Sequence, residues 1–237
     1  DESGPDDRTG ARRRTGAEAE FRRDETVDVM AGHRWTTAIA GPRFALIIAV
    51  SPARADQHLV PYSDFVRSLA DRAISTLTAE GQSSEMRREQ FRGLFREGFA
   101  VNGIARFVLG RYWRRASEAD RTEYMALFED VIVNTWADRF SEYSGEKFEV
   151  QKAFDAPSAH QAERVAIVRS MFFIDPQTPV RIDWRVASRG DIYKITDVSV
   201  EGISMANTQR DEFSSVIRSN RGDISALLEI LRKKRDG

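Results

Sequence analysis

The sequence predicts an α+β domain, in which a twisted antiparallel sheet of about four strands is wrapped by helices and encloses an apolar pocket. Three observations predict it. Apolar residues recur at helical spacing before Gly145, alternate with polar residues after it, and return to helical spacing near the end of the chain. Helices and hairpin-linked strands that are segregated along a chain are typical of the α+β class. Because no repeat or linker interrupts residues 62–235, we expect one domain there.

The composition is that of a globular protein and argues against several classes of chemistry. The 237 residues carry a formal net charge of −1, whereas nucleic-acid-binding domains usually show a clustered basic excess, so we expect no nucleic acid partner. The absence of cysteine excludes disulfides, thiolate metal sites and cysteine nucleophiles. The three histidines lie in segments that we interpret as leader or loop. This placement argues against most zinc and serine–histidine chemistry, and we expect no metal and no cofactor.

Residues 1–29 form a polar tail that has almost no apolar side chains to bury, and we expect it to be disordered. Its basic cluster, Arg12-Arg13-Arg14, is more typical of a solvated tail than of a contact with nucleic acid or anionic lipid. Because Met30 follows, the tail can also be read as an upstream over-extension of the reading frame.

Residues 30–55 contain the three parts of a secretory signal peptide. Two arginines precede a short apolar run at residues 44–50, and Ala53-Arg54-Ala55 then supplies an A-x-A cleavage site. The run is far shorter than the roughly 20 residues of a membrane-spanning helix, so we expect no span. A buried strand is the alternative interpretation of the run. We predict cleavage after Ala55, which leaves residues 56–237 as the mature, secreted domain.

Four helices are predicted in the first half of the mature domain. The first ends near Gly81, the second begins with Ser84 as its N-cap, and the third covers residues 101–109 and stops at Gly110. The fourth covers residues 117–141 and has the clearest periodicity. The apolar positions that define the four faces are Phe65, Leu69, Ala73 and Leu77, then Met86, Phe91, Leu94, Phe95 and Phe99, then Val101 to Leu109, and finally Tyr124, Leu127, Phe128, Val131, Ile132 and Trp136.

Strands are predicted at residues 165–173, 180–186 and 192–201, with a weaker one at 147–154. A turn at residues 188–191 joins two of them as a hairpin, and each strand has one apolar and one polar face. Two helices then close the chain. Their apolar positions are Phe213, Val216 and Ile217 in the first helix, and Ile224, Leu227, Leu228 and Leu231 in the second.

Three stretches of this domain resemble one protein family. They are residues 91–117, with the block VLGRYW at 108–113, residues 128–146, and residues 193–213, with the block DVSVEGIS at 197–204. In this order and spacing they are similar to the MlaC/toluene-tolerance family of periplasmic phospholipid-binding proteins, which are auxiliary components of an ABC transport system. The resemblance covers nearly all of residues 60–235.

The chain departs from the family pattern at three places. Tyr193 stands where the family usually has tryptophan, Ile195-Thr196 stands where it has a Val-Tyr pair, and Gln209 stands where it has tyrosine. These departures leave the fold intact. They are compatible with a diverged branch that carries a different lipid.

The resemblance implies a twisted sheet with surrounding helices, similar in appearance to the nuclear-transport-factor-2-like folds. It implies a carrier that buries the acyl chains of a phospholipid and leaves the headgroup largely exposed. Such carriers move in the periplasm between an outer-membrane lipoprotein complex and an inner-membrane ABC transporter with its substrate-capturing ring protein, and so affect the lipid asymmetry of the outer membrane. The phospholipid is then cargo and not a cofactor, and the predicted signal peptide agrees with this location.

Apolar stripes on the fourth helix and on the strands are the candidate lining of the pocket. Arg169 interrupts one stripe, and it either lines the pocket mouth or pairs with Asp183 or Asp197 across the sheet; we favour the ion pair. The candidate lipid-binding residues are Leu109, Tyr112, Phe128, Val131, Ile132, Ile167, Arg169, Met171, Ile182, Trp184, Val198 and Val200. The alternative is that the apolar ones only pack against each other, because sequence does not distinguish a filled core from a cavity.

Charged residues leave further interpretations open. Arg111, Arg114 and Arg115 flank an aromatic pair, and we interpret them as a solvated edge or a surface for an acidic partner, with a headgroup contact as the alternative. A small cone-shaped enzyme would need a buried carboxylate as general base, and the available acids are Asp183, Asp197 and Glu201. A periplasmic scaffold that binds only protein is another alternative. The resemblance implies a carrier, and because no nucleophile motif or phosphate-binding loop is present, we predict that the chain is not an enzyme.

Overall fold

Helices come first in the structure, a computed structural model that describes residues 56–141, 145–175 and 177–236. The predicted tail and signal peptide, residues 1–55, lie outside the described residues. The helices are α1 (Val60–Leu77), α2 (Ser84–Gly98), α3 (Val101–Leu109), α4 (Glu118–Ser141) and, after the strands, α5 (Met205–Ser219) and α6 (Ser225–Asp236). Short 3-10 turns at Gln57–Leu59 and Gly110–Arg114 precede α1 and follow α3. Within the described ranges, no helix combines the length and the apolar character needed to cross a membrane.

Side-chain caps explain where α2 and α4 begin. Ser83 has extended backbone, and its Oγ accepts a hydrogen bond from the Met86 amide at 3.1 Å, so the N-cap predicted at Ser84 is wrong by one residue. The predicted start of α4 is confirmed. There the Asp120 amide donates to Ser117 Oγ at 3.1 Å, and the Ser117 amide donates to the Asp120 carboxylate at 3.2 Å. These reciprocal bonds are a capping box.

The strands form one antiparallel sheet, which confirms the predicted α+β class. In sequence order, which is also their spatial order, they are β1 (Lys147–Ala156), β2 (Arg164–Asp175), β3 (Thr178–Arg189), β4 (Ile192–Val200) and β5 (Ile203–Ser204). The described sheet therefore has five strands where about four were predicted. Two-residue β5 turns back onto the end of β4 through Glu201 and Gly202, which both have positive φ. A strand of that length is too short to show alternation in a sequence.

Irregularities in strand pairing decide which side chains share a face of the sheet. The register shifts between Val150 and Lys152 in β1 and between Ile195 and Asp197 in β4, and again between Phe173 and Asp175 at the end of β2. Because directly paired residues of antiparallel strands point to the same side, the register assigns every paired residue to one of two faces. We call the face that packs against α1 the inner face and the opposite one the outer face.

Two clusters of buried apolar residues stand out in the core of the described chain. The sheet cluster joins α1 to the inner face and contains Leu59, Tyr62, Val66, Ala166, Val168, Val186 and Ile195. The helical cluster joins α3 to α6 and contains Ala105, Val108, Leu109, Tyr112, Tyr124, Leu127, Phe128, Ala206, Phe213, Ile217, Leu227, Leu228 and Leu231. The Tyr124 hydroxyl donates to the Ala105 carbonyl at 2.9 Å, and burial raises the pKa of Tyr124. No residue belongs to both clusters.

Candidate functional site

The inner face of the sheet changes character along its strands. Where α1 covers it, Val168, Val186 and Ile195 are fully buried. Further along the same strands, towards the β4–β5 turn, the apolar side chains are only half-buried. These residues, which we call the open inner face, are Phe148, Val150, Phe172, Ile182, Trp184, Val198 and Val200. The half-buried apolar side chains on this part of the inner face therefore come from four strands.

Trp184 is fixed in the middle of the open inner face by its own sheet. Its indole N–H donates to Ser170 Oγ at 2.8 Å, and that buried hydroxyl donates in turn to the Ile182 carbonyl at 3.2 Å. The Phe148 ring packs edge-on against the Trp184 ring, with 6.2 Å between the centroids. The indole has no other polar atom, so Trp184 presents only carbon atoms to a ligand that packs on this surface.

Three candidate lipid-binding residues lie on the opposite side of the sheet. Ile167, Arg169 and Met171 point to the outer face, since Arg169 is paired directly with Asp183. The guanidinium of Arg169 donates to both carboxylate oxygens of Asp183, at 2.8 and 3.1 Å, and this hydrogen bonding raises the pKa of Arg169. The favoured ion pair is confirmed. Because successive side chains of a strand point to opposite faces, the three residues do not share the face of Trp184, and their role as lipid contacts stays a prediction.

The helical candidates lie in the helical cluster. Leu109, Tyr112 and Phe128 are fully buried there, and Val131 and Ile132 pack against it as half-buried residues. Phe128, Val131 and Ile132 line a hollow of about 20 Å³. Such a hollow has room for about one water molecule, whereas ligand pockets usually measure roughly 300–1,000 Å³. The hollow is therefore too small for an acyl chain, and the role of these five residues as lipid contacts stays a prediction.

Comparison with known proteins identifies the family. The sequence pattern described as MlaC protein matches residues 67–233, which is well over half of the chain. The chain belongs to the MlaC family. A phospholipid-binding protein from Ralstonia solanacearum, solved in complex with a phospholipid, has a similar structure, with a TM-score of 0.61 and 18% sequence identity over 73% of this chain and 96% of that one. At this identity, the likeness shows that the two proteins share a fold.

The three carboxylates weighed as a general base, Asp183, Asp197 and Glu201, instead make structural contacts in this MlaC-family chain. Asp183 holds Arg169, as described above, and Glu201 accepts a hydrogen bond from the Arg181 amide beside it. Asp197 accepts hydrogen bonds from the amides of Val198 at 2.9 Å and Ala206 at 3.1 Å, which fixes the start of α5. Each carboxylate therefore has a structural contact that accounts for its position.

The candidate site includes residues that the sequence did not single out. Phe148, Val150 and Phe172 belong to the open inner face, but the β1 alternation is broken by its bulge and the apolar residues of β2 occur on both faces. A polar surface depression of about 380 Å³ was also missed; it lies beside Tyr62 and contains His58, whose Nε2 lies 2.9 Å from Asp155 Oδ1. His58 lies in the turn before α1 and Asp155 lies in β1, and two residues so far apart in the chain leave no local signal in the sequence.

Proposed function

We propose that this chain binds a phospholipid and packs its acyl chains on the open inner face. The single observation that carries the proposal is the half-exposed apolar surface built by four strands, whose one indole N–H is already bonded within the sheet. Removing a CH₂ group from water is worth about 0.8 kcal/mol, so ten buried CH₂ groups contribute about 8 kcal/mol. A carrier therefore needs apolar side chains that a lipid can cover, and four strands supply half-buried ones on the open inner face.

Two independent observations support lipid as the ligand. The chain belongs to the MlaC family, and the Ralstonia solanacearum protein that shares its fold was solved with a phospholipid. The aromatic rings of Phe148 and Trp184 also suit flexible acyl chains, because large apolar side chains make many dispersion contacts without needing a fixed partner geometry.

The wider role that we propose is transport through the periplasm. The chain would take phospholipid between an outer-membrane lipoprotein complex and an inner-membrane ABC transporter with its ring protein. Family membership supports these partners, and the apolar run and A-x-A site within residues 30–55 support export with cleavage after Ala55. N-terminal sequencing of the protein recovered from the periplasm tests the export step. A mature chain that begins before Met30 would contradict it.

Native mass spectrometry tests the binding step directly. The protein is expressed from the full-length sequence, purified from the periplasm and weighed without denaturation, and lipids are extracted from the same sample. We expect a bound mass that matches a diacyl phospholipid in the extract. A protein that carries no lipid, and that takes none from vesicles, contradicts the proposal and favours a scaffold that binds only protein.

A further inference from the structure

Arginines gather around the 3-10 turn that follows α3. Residues 101–121 contain five arginines and no lysine. Four of them, together with one arginine of the neighbouring helix α5, form what we call the arginine cluster: Arg106, Arg111, Arg114, Arg121 and Arg210. Arg106, Arg111 and Arg114 are exposed, and Arg121 and Arg210 are half-buried. The cluster lies on the helical side of the molecule and includes no residue of the open inner face.

Aromatic rings hold the guanidinium groups in place. Arg106 and Arg121 both lie over the Trp113 ring, with guanidinium carbons 5.0 and 5.5 Å from its centroid. Arg210 lies over the Phe107 ring at 4.8 Å. A ring contact occupies only the face of a guanidinium, so N–H groups at the edge of Arg106 and Arg210 remain able to bind an anion. Arg121 instead donates to the carbonyls of Trp113 at 2.8 Å and Arg114 at 3.2 Å, and so holds the turn in place.

The charges of the arginine cluster are not neutralised within the described part of the chain. There, no carboxylate oxygen lies within 4.0 Å of a guanidinium nitrogen of these five residues. Arg92 shows the contrast, because it lies 2.9 Å from Glu129 and 2.8 Å from Asp130. A chain whose net charge is only −1 thus concentrates unpaired positive charge at one corner, which fits an anionic partner.

We propose that the arginine cluster docks this protein on the surface of an anionic phospholipid bilayer. Guanidinium groups bind phosphate oxygens through two parallel hydrogen bonds, and the cluster uses arginine alone. Phe107 is 43% exposed beside Arg210, and an exposed aromatic ring next to cationic groups suits the boundary between headgroups and acyl chains.

Docking by the arginine cluster rests on the proposed function, because a lipid carrier has to reach a bilayer. The observations that carry it are separate, since they concern the turn after α3 and not the sheet. Docking and lipid binding can therefore be measured on the same protein as two different quantities.

Vesicle flotation tests the proposal. Protein expressed from the full-length sequence is floated with vesicles of phosphatidylglycerol and phosphatidylethanolamine in equal amounts, and with vesicles of phosphatidylcholine alone. We expect binding to the anionic vesicles only, and we expect added salt to weaken it. The triple variant Arg106→Gln, Arg111→Gln, Arg114→Gln should partition on the order of 100-fold less, since each basic side chain near an anionic surface contributes about fivefold.

A matched variant controls for net charge. Arg67→Gln, Arg164→Gln, Arg235→Gln removes the same number of charges from α1, β2 and α6, and it should still float with anionic vesicles. Native mass spectrometry should find the same bound lipid in both triple variants. This readout separates the two proposals, because a variant that loses flotation but keeps its lipid is defective in docking alone.

Three results would overturn the docking proposal. One is equal flotation with anionic and phosphatidylcholine vesicles. Another is an equal loss of flotation in the two triple variants. The third is a lipid-loaded wild-type protein that binds no vesicle at low salt, which would leave the proposed lipid binding intact and favour an acidic protein as the partner of the arginine cluster.

Discussion

Replacing Ile182 by alanine should weaken phospholipid binding, whereas the same replacement at Ile167 should leave it unchanged. The two isoleucines lie on the neighbouring strands β3 and β2, and both are half-buried. Ile182 belongs to the open inner face and Ile167 to the outer face. Each variant loses three carbon atoms, and the two variants differ mainly in the face of the sheet from which those atoms are removed.

The size of the expected effect follows from those three carbons. At about 0.8 kcal/mol for each CH₂ group removed from water, their full contact with an acyl chain is worth about 2.4 kcal/mol. Because Ile182 is already partly shielded before lipid binds, only a part of this free energy is available to the ligand. We expect about 1 kcal/mol, which weakens binding roughly fivefold.

Titration with a phospholipid labelled on its headgroup measures the effect, and urea unfolding of both variants controls for stability. Both variants should lose a similar and modest free energy of unfolding, because both residues are half-buried. An equal change of affinity in the two variants would refute the placement of acyl chains on the open inner face. Unchanged affinity in Ile182→Ala would refute it as well.

Three further predictions concern stability. Gly110 has a φ of 58°, and a Cβ built there would lie 3.1 Å from a neighbouring guanidinium. Gly110→Ala should therefore lower the free energy of unfolding, measured by urea titration, by roughly 1–3 kcal/mol. An unchanged unfolding midpoint would contradict this. Tyr62→Phe removes a 2.6 Å hydrogen bond and leaves the buried Ser188 hydroxyl unpaired, which should destabilise the protein by about 1–3 kcal/mol, and adding Ser188→Ala should recover part of the loss. Hydrogen bonding from Arg72 holds the pKa of Glu97 below its ordinary value, so this pair stabilises the fold at neutral pH and ceases to do so as the pH falls through that lowered pKa. Because both side chains are about half exposed, Glu97→Gln should cost less than about 1 kcal/mol, and a difference from wild type that persists in strong acid would contradict the explanation.

Local patterns in the sequence predict the helices well. The structure places α3 at Val101–Leu109, and Gly110 follows it, as predicted, because a glycine at positive φ ends a helix without a Cβ clash. The start of α4 at Ser117 depends on a capping box within four consecutive residues. Such signals are visible in a sequence because the residues that make them are neighbours along the chain.

The faces of β2 show what local patterns do not decide. Its two sets of alternating residues are both mainly apolar, and the set with the larger side chains was predicted to line the pocket. The inner face instead takes the smaller set, because Ser170 has to accept the indole N–H of Trp184 and Ala166 has to fit beneath α1. The ion pair between Arg169 and Asp183 is enough to assign these residues to a face of the sheet. Since Asp183 faces away from Trp184, any residue paired with it does too.

The positions of the two core clusters give a physical reason for the proposed site. The hollow inside the helical cluster measures about 20 Å³, so an acyl chain placed there would have to displace residues of a filled core. The open inner face lies at the margin of the sheet cluster, where Phe148, Trp184 and Val198 are only half-buried and pack from one side. A ligand that covers them adds contacts without breaking either cluster. Binding there costs less packing than binding inside the helical cluster, which is the physical reason for proposing acyl chains on the sheet and not among the helices.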